Sequence, residues 1–216
     1  LINNAGIGLG GPLELVPMTE TRRLMEVNVI GLLATTQAFV PLLRKGRGRI
    51  VNIGSLAGLV AMPGASAYAA SKFAVQAITD SLRLELKPFG IRVTIVDPGA
   101  VESALWEKGR AQKQAVLDAA SPELLHLYGP LIEIGKRLGE NPRDILPASY
   151  VVKDVMHALT SSNPKPLYLV GPGAKKAAKL ARIPIGLRDW LLNRFMRSGV
   201  EGGRRGAASV EPEAAV

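Results

Sequence analysis

Apolar positions along this chain alternate between two periods. Leu1 and Ile2 run into Asn3-Asn4-Ala5-Gly6-Ile7-Gly8, which reads as the end of an apolar strand entering a Gly-rich turn. Across residues 20–44, Leu24, Val27, Ile30, Gly31 and Ala34 return at helical spacing, with Thr19 placed to cap the start. Residues 49–53 are rich in β-branched side chains and predict a strand, whereas 66–88 predict a long helix of small and aliphatic residues stopping near Gly90. Residues 91–96 predict another strand, closed by Asp97-Pro98-Gly99. Strands that are apolar throughout and separated by helices indicate α/β architecture, a parallel sheet covered on both faces.

Beyond Gly99 the pattern loosens. Residues 100–146 are punctuated by Gly and Pro and predict one or two short helices covering a site. A helix over 148–161, a last strand over 166–170 and a helix over 175–197 interrupted at Pro184 follow. Residues 1–174 thus form one partial domain and 175–198 a basic amphipathic C-terminal helix, while 199–216, rich in Gly, Ala, Glu and Pro, predicts a disordered tail.

Composition narrows the classes. With 216 residues, 47% hydrophobic and 21% charged, the chain is long enough for one domain with a sizeable core. The absence of cysteine excludes disulfides, thiolate metal sites and a cysteine nucleophile, and fits a cytoplasmic protein. His126 and His157 have no second His at ligand spacing, so no metal site is expected and both read as surface or loop residues. The net charge of +9 is uneven: nine Lys/Arg against two acids over 175–205 place +7 of it there. Nothing in this segment has the aromatic interleaving of nucleic-acid readers, so no nucleic-acid partner is expected. Leu180, Ile183, Leu187, Trp190, Leu191 and Phe195 instead form an apolar stripe flanked by cations, a pattern shared by interfacial helices and by helices packed on their own domain. The uncharged run 27–43 reaches the short limit for a membrane span but carries Asn28, Thr35, Thr36, Gln37 and Pro41, and reads as a buried helix.

The chemistry sits in four polar residues of an apolar stretch. Tyr68 and Lys72 are four apart on a predicted helix and share one face. A cation about 4 Å from a phenol supplies about 4 kcal/mol at an effective dielectric near 20, enough to lower its pKa by two or three units. Alone, Tyr-x-x-x-Lys is also a common surface pair. Ser55 follows the strand 49–53 at the C-terminal edge, where ligands bind in open α/β sheets. Asn28 lies inside an apolar helix, where an amide is costly unless hydrogen-bonded. A turn-forming Ser55 and a structural Asn28 are the plainer alternatives.

Taken together, these residues resemble the short-chain dehydrogenase/reductase family. Asn3-Asn4-Ala5-Gly6 is similar to its NNAG motif, Asn28 to its active-site Asn, Ser55 to its Ser, and Tyr68-Ala69-Ala70-Ser71-Lys72 to its YxASK motif. Pro98-Gly99 with Ser103 is similar to PGxxxT, with Ser replacing Thr. The intervals agree as well, and the resemblance is strong over residues 1–103. A weaker likeness to retinol- or steroid-type members lies in His157, Tyr168-Leu169-Val170-Gly171 and the basic C-terminal helix.

The resemblance implies a Rossmann-like doubly wound parallel sheet and an enzyme moving a hydride between NAD or NADP and an alcohol, ketone or aldehyde. It implies Tyr68 as acid/base, Ser55 orienting the substrate carbonyl, Lys72 holding the nicotinamide ribose and lowering the Tyr68 pKa, and Asn28 helping to hold a relay water. It implies Asn4, Ala5, Gly6, Ile53, Tyr68, Lys72, Pro98, Gly99, Val101 and Ser103 at the cofactor, and Ser55 and Tyr68 at the substrate. The aliphatic Leu105, Trp106, Leu124, Leu125, Leu127, Tyr128, Leu131 and Ile132 favour an apolar substrate.

A homodimer or homotetramer is implied, for which Ala69, Ala70, Ala74 and Ala77 offer a close-packing face. The family's Gly-rich phosphate loop is expected upstream of Leu1, together with the first βαβαβ portion, about 60 to 80 residues. As written the chain is expected to bind dinucleotide poorly. The alternative is a non-catalytic fragment or pseudoenzyme acting as a binding or oligomerisation module.

Overall fold

A computed structural model describes residues 1–140 and 145–207. Four parallel strands form one sheet in the order β1-β2-β3-β4: Ile2–Asn3, Arg49–Ile53, Arg92–Pro98 and Leu167–Val170. Side chains alternate across it with the strand period of two. Ile50, Val93 and Ile95 face helices α2 (Gly31–Lys45) and α3 (Ser66–Glu85). Val51, Val96, Tyr168 and Val170 face α6 (Ser149–Thr160). Both faces are therefore covered, as the uniformly apolar strands require.

The segment before α2 departs from a plain helix. The helix α1 (Met18–Met25) starts one residue ahead of Thr19, behind Pro17, so Thr19 does not cap it. Between α1 and α2 the chain widens into a π-turn, Glu26–Ile30. Gly31 N–H donates to Glu26 O, and a Cβ at Gly31 would lie 3.3 Å from that carbonyl. Among the described residues Met18–Lys45 is the one helical run long and apolar enough to cross a membrane. It is not the buried helix expected: α2 turns Leu32 and Thr36 inward but leaves Leu33, Phe39 and Leu42 exposed. On α3, Ala69 is buried against the subunit's own core, so the outward face is Phe73 and Leu84 with Ala70 and Ala77, not Ala69.

Residues 100–146 hold two long helices instead of short ones, α4 (Ala104–Asp118) and α5 (Pro122–Glu140). Half of the residues expected to line a substrate pocket, Leu124, Leu125, Tyr128 and Ile132, pack instead into a core between helices. Val116, Leu117 and Ile132 form a core with Leu15, joined by Leu124, Leu125 and Tyr128, whereas Leu127 is exposed. The side chain of Trp106 lies outside the described part. Leu105 lies beside the loop after β1, where a Cβ on Gly8 would stand 3.8 Å from Leu105 Cδ1.

The C-terminal segment is two helices, α7 (Gly171–Leu180) and α8 (Ile185–Ala207), parted at Pro184. The tail predicted from residue 199 is helical through Ala207, and 208–216 lie outside the described residues. The apolar stripe splits: Leu180, Ile183 and Leu191 are half-buried, while Ile185, Leu187 and Trp190 are exposed.

Candidate active site

The C-terminal ends of β1, β2 and β3 meet the first turns of α3, and each predicted polar residue arrives there by a different local device. Asn28 is delivered by the π-turn, a helix irregularity that recurs at functional sites. It is buried, and its amide is fully engaged. Oδ1 accepts from Ile7 N–H at 2.8 Å, and Nδ2 donates to Ile7 O at 3.0 Å and to Ser71 Oγ at 3.1 Å. Ser71 Oγ donates in turn to Tyr68 O at 2.7 Å. Both side-chain N–H groups of Asn28 are thus spent on protein, and the amide clamps the loop after β1 to α3. Close approach there needs a glycine: a Cβ on Gly6 would lie 3.3 Å from Asn28 Oδ1 and 3.9 Å from Lys72 Nζ.

Ser55 caps a 3-10 turn, Leu56–Gly58, its Oγ accepting from Ala57 N–H at 3.2 Å. The turn-forming alternative is therefore real and coexists with the site, because the Ser55 side chain also stands close enough to the Tyr68 phenol to favour its ionised form. Burial holds the Tyr68 phenol above its usual pKa, with the Ser55 hydrogen bond working against this. That corrects the expectation of a phenol lowered by Lys72. The Lys72 ammonium lies 5.9 Å from the Tyr68 ring centroid and donates to Ile53 O at 3.0 Å. Burial lowers the Lys72 pKa to about 8, opposed by the Asp97 carboxylate.

The remaining predicted residues ring this centre. Asn4, Ala5 and Gly6 are exposed at the end of β1, and Ile53 is half-buried at the end of β2. Pro98 ends β3, and Gly99 N–H donates to Val170 O at 3.0 Å, with a Cβ there reaching 3.3 Å from Ala174 N. Val101 bridges to Leu146, and exposed Ser103 precedes α4 without a side-chain cap bond.

Sequence reasoning missed the groups beneath the site. Asp97, fully buried, accepts from Ser55 N–H at 3.0 Å and from Gln76 Nε2. Asn52 joins Asn3 to Thr79: Asn3 Nδ2 donates to Asn52 Oδ1 and Thr36 Oγ1, and Asn52 Nδ2 donates to Thr79 Oγ1. An Asn inside the β-branched run 49–53 and an acid ending 91–96 were the available signals. His157 sits on α6 with Nδ1 2.6 Å from Tyr168 Oη, and His126 is exposed on α5. No metal-holding cluster occurs among the described residues.

A phenol, a hydroxyl and an ammonium at one sheet edge can hydrogen-bond a substrate oxygen and exchange a proton with it. Gly6 brings backbone without a side chain close to Lys72, whose ammonium keeps two donors after Ile53 O is served.

Comparison with known proteins agrees. The family model described as short chain dehydrogenase matches residues 1–114. Dehydrogenase/reductase SDR family member 9 of Homo sapiens is 36% identical over 199 residues, covering 89% of this chain and 62% of that protein. Retinol dehydrogenase 16 of Mus musculus is 36% identical, with the same coverage of 89% and 62%. The chain thus spans somewhat less than two thirds of the length of these relatives. The crystal structure of a short chain dehydrogenase from Burkholderia cenocepacia J2315 in complex with NADP superposes with a TM-score of 0.66 at 28% identity, covering 89% of this chain and 68% of that one. With the motifs, their order and the sheet in agreement, the chain belongs to the short-chain dehydrogenase family.

Proposed function

We propose that the protein containing this chain is an NAD- or NADP-dependent oxidoreductase interconverting an apolar alcohol with its ketone or aldehyde. The observation that carries this reading is the convergence of Ser55, Tyr68 and Lys72 at one sheet edge, with Asn28 bracing it from behind. When bound, the dinucleotide supplies or accepts the hydride. Ser55 and Tyr68 bind the substrate oxygen, and Tyr68 gives the proton during reduction or takes it during oxidation. Lys72 would offer its remaining donors to the ribose, and its ammonium places positive charge 5.9 Å from the Tyr68 ring centroid. Asn28 fixes the loop through Ile7 and the helix through Ser71; a relay water would have to use a group other than its spent Nδ2. Asn4, Ala5 and Gly6 would contact the adenosine side, and Ile53, Pro98, Gly99, Val101 and Ser103 the nicotinamide side.

The apolar preference is supported by Leu105 over the loop and by a relative named for retinol. An assay of the full-length protein with NAD(P) against matched apolar alcohols and sugars tests it. Turnover confined to sugars, or none with any alcohol or carbonyl, overturns the reading. The intact constellation speaks against the non-catalytic module.

Two surface properties accompany it. The exposed Leu33, Phe39, Phe73 and Leu84 on α2 and α3 support a homodimer or homotetramer. Light scattering should report two or four subunits; a monomer at micromolar concentration removes the idea. Exposed Ile185, Leu187 and Trp190, with Arg194 stacked 5.5 Å over Trp190 and exposed Lys175, Lys176 and Lys179 nearby, support peripheral contact of a cytoplasmic protein with an anionic membrane. Flotation with anionic vesicles at low salt should carry the protein upward; if it stays at the bottom, the membrane contact is lost.

A further inference from the structure

Asp97 is the buried acid that the proposed chemistry leaves unused. It ends β3 at 0% exposure, and among the described residues no salt bridge reaches it. Its carboxylate is held by Ser55 N–H and by Gln76 Nε2, and the chain makes room for it. A Cβ on Gly54 would fall 1.9 Å from Asp97 Oδ1.

Those two hydrogen bonds do not by themselves explain an acid. An Asn at this position would accept from Ser55 N–H through Oδ1 and donate through Nδ2 to Gln76 Oε1 after an amide flip, without burying a charge. Burying a carboxylate without a cation is expensive, so the charge itself needs a partner. The buried ammonium of Lys72 is bound at the same strand end, beyond ion-pair distance of the carboxylate. It donates to Ile53 O, two residues before the N–H that Asp97 accepts, on the same strand end. Among the described residues, Tyr68 and Lys72 on α3 and Asp97 on β3 are the titratable groups meeting there. Burial raises the Asp97 pKa to about 6, and Lys72 opposes the rise just as Asp97 opposes the lowering of Lys72.

We propose that Asp97 is a positioning residue, the buried counter-charge of Lys72 and the anchor of the Ser55 backbone, so that one carboxylate sets both the charge and the geometry beside Tyr68. This rests on the proposed oxidoreductase reading. Removing the charge without the shape should release Lys72 to titrate lower, and with it the pH limit above which the site loses its cation.

The test is D97N in the full-length protein. Its Lys72 titration, followed by the NMR signal of the lysine Cε, should move down by about one pH unit. The alkaline limb of kcat/KM should move down equally, with the KM for dinucleotide little changed. An unmoved Lys72 midpoint in folded D97N overturns the proposal. If D97N does not fold, K72M supplies the reciprocal measurement: the Asp97 carboxyl must then titrate higher than in wild type, and an unchanged midpoint is equally fatal. Because the NMR readout needs no turnover, shifted midpoints in a protein without dehydrogenase activity would reject the oxidoreductase reading while leaving the charge pair intact.

Discussion

Tyr68→Phe is expected to lower turnover by about 10²- to 10⁴-fold, the range for loss of a positioned acid/base. The change removes one oxygen. The Tyr68 backbone carbonyl still accepts from Ser71 Oγ, and Asn28 still holds Ser71, so neither the first turn of α3 nor the loop after β1 loses its clamp. Dinucleotide affinity and Tm should therefore stay close to wild type, because the proposed contacts to the dinucleotide are spread over Lys72, the backbone around Gly6, Ile53 and residues 98–103, and only one hydroxyl is lost. Steady-state turnover, dinucleotide fluorescence titration and thermal unfolding of the purified variant separate these effects. Unchanged turnover in a folded protein would remove Tyr68 from the chemistry, and a joint collapse of affinity and Tm would show a structural role instead.

Gly54→Ala should produce the largest loss of stability. The added methyl would stand 1.9 Å from Asp97 Oδ1 and 2.9 Å from Ile95 Cδ1, in a place walled by strands β2 and β3. Relief requires either Asp97 to leave its bonds to Ser55 N–H and Gln76 or the strand ends to part. Overpacking costs about 1–3 kcal/mol and the loss of a hydrogen bond to a charged group about 1.5–3 kcal/mol. A total of about 3–5 kcal/mol lowers Tm by roughly 10–15 °C for a domain of this size. Turnover should fall as well, because Ser55 is tethered to the carboxylate being displaced. Urea unfolding checks the first part; a loss below 1 kcal/mol would mean that the close approach at Gly54 is softer than its geometry implies.

Much of the architecture was legible in the chain because its central strands are buried on both sides, and a strand whose consecutive positions are mostly apolar has few other places to go. The limits of β2 and of α3 up to the left-handed Gly90 followed from β-branched runs and a glycine stop. The motif residues were legible for a similar reason. Tyr68 and Lys72 are linked by the helical repeat, and Ser55 by its place at a strand end.

What the chain did not disclose depends on neighbours distant in sequence. Residues 100–146 read as a covering segment lined with aliphatics, yet Leu124, Leu125 and Ile132 serve a helix-pair core with Leu15 and Val116, since apolarity marks burial without naming the partner. The π-turn that aims Asn28 depends on a hydrogen bond five residues long, and its reward, the clamp on Ile7 and Ser71, crosses 21 and 43 residues. The sign of the Tyr68 shift was likewise decided by tertiary structure. Helical spacing puts a cation near the phenol, but burial of the phenol itself sets the direction, with Ser55 opposing it. Local periodicity and spacing were enough for β2, α3, the parallel strands and the residue types at the sheet edge, but not for the π-turn, the two long helices within 100–146 or the helix beyond residue 199. Only the tertiary structure decided which polar groups lie beneath that edge and how strongly each is desolvated, because desolvation is a property of everything packed around a group.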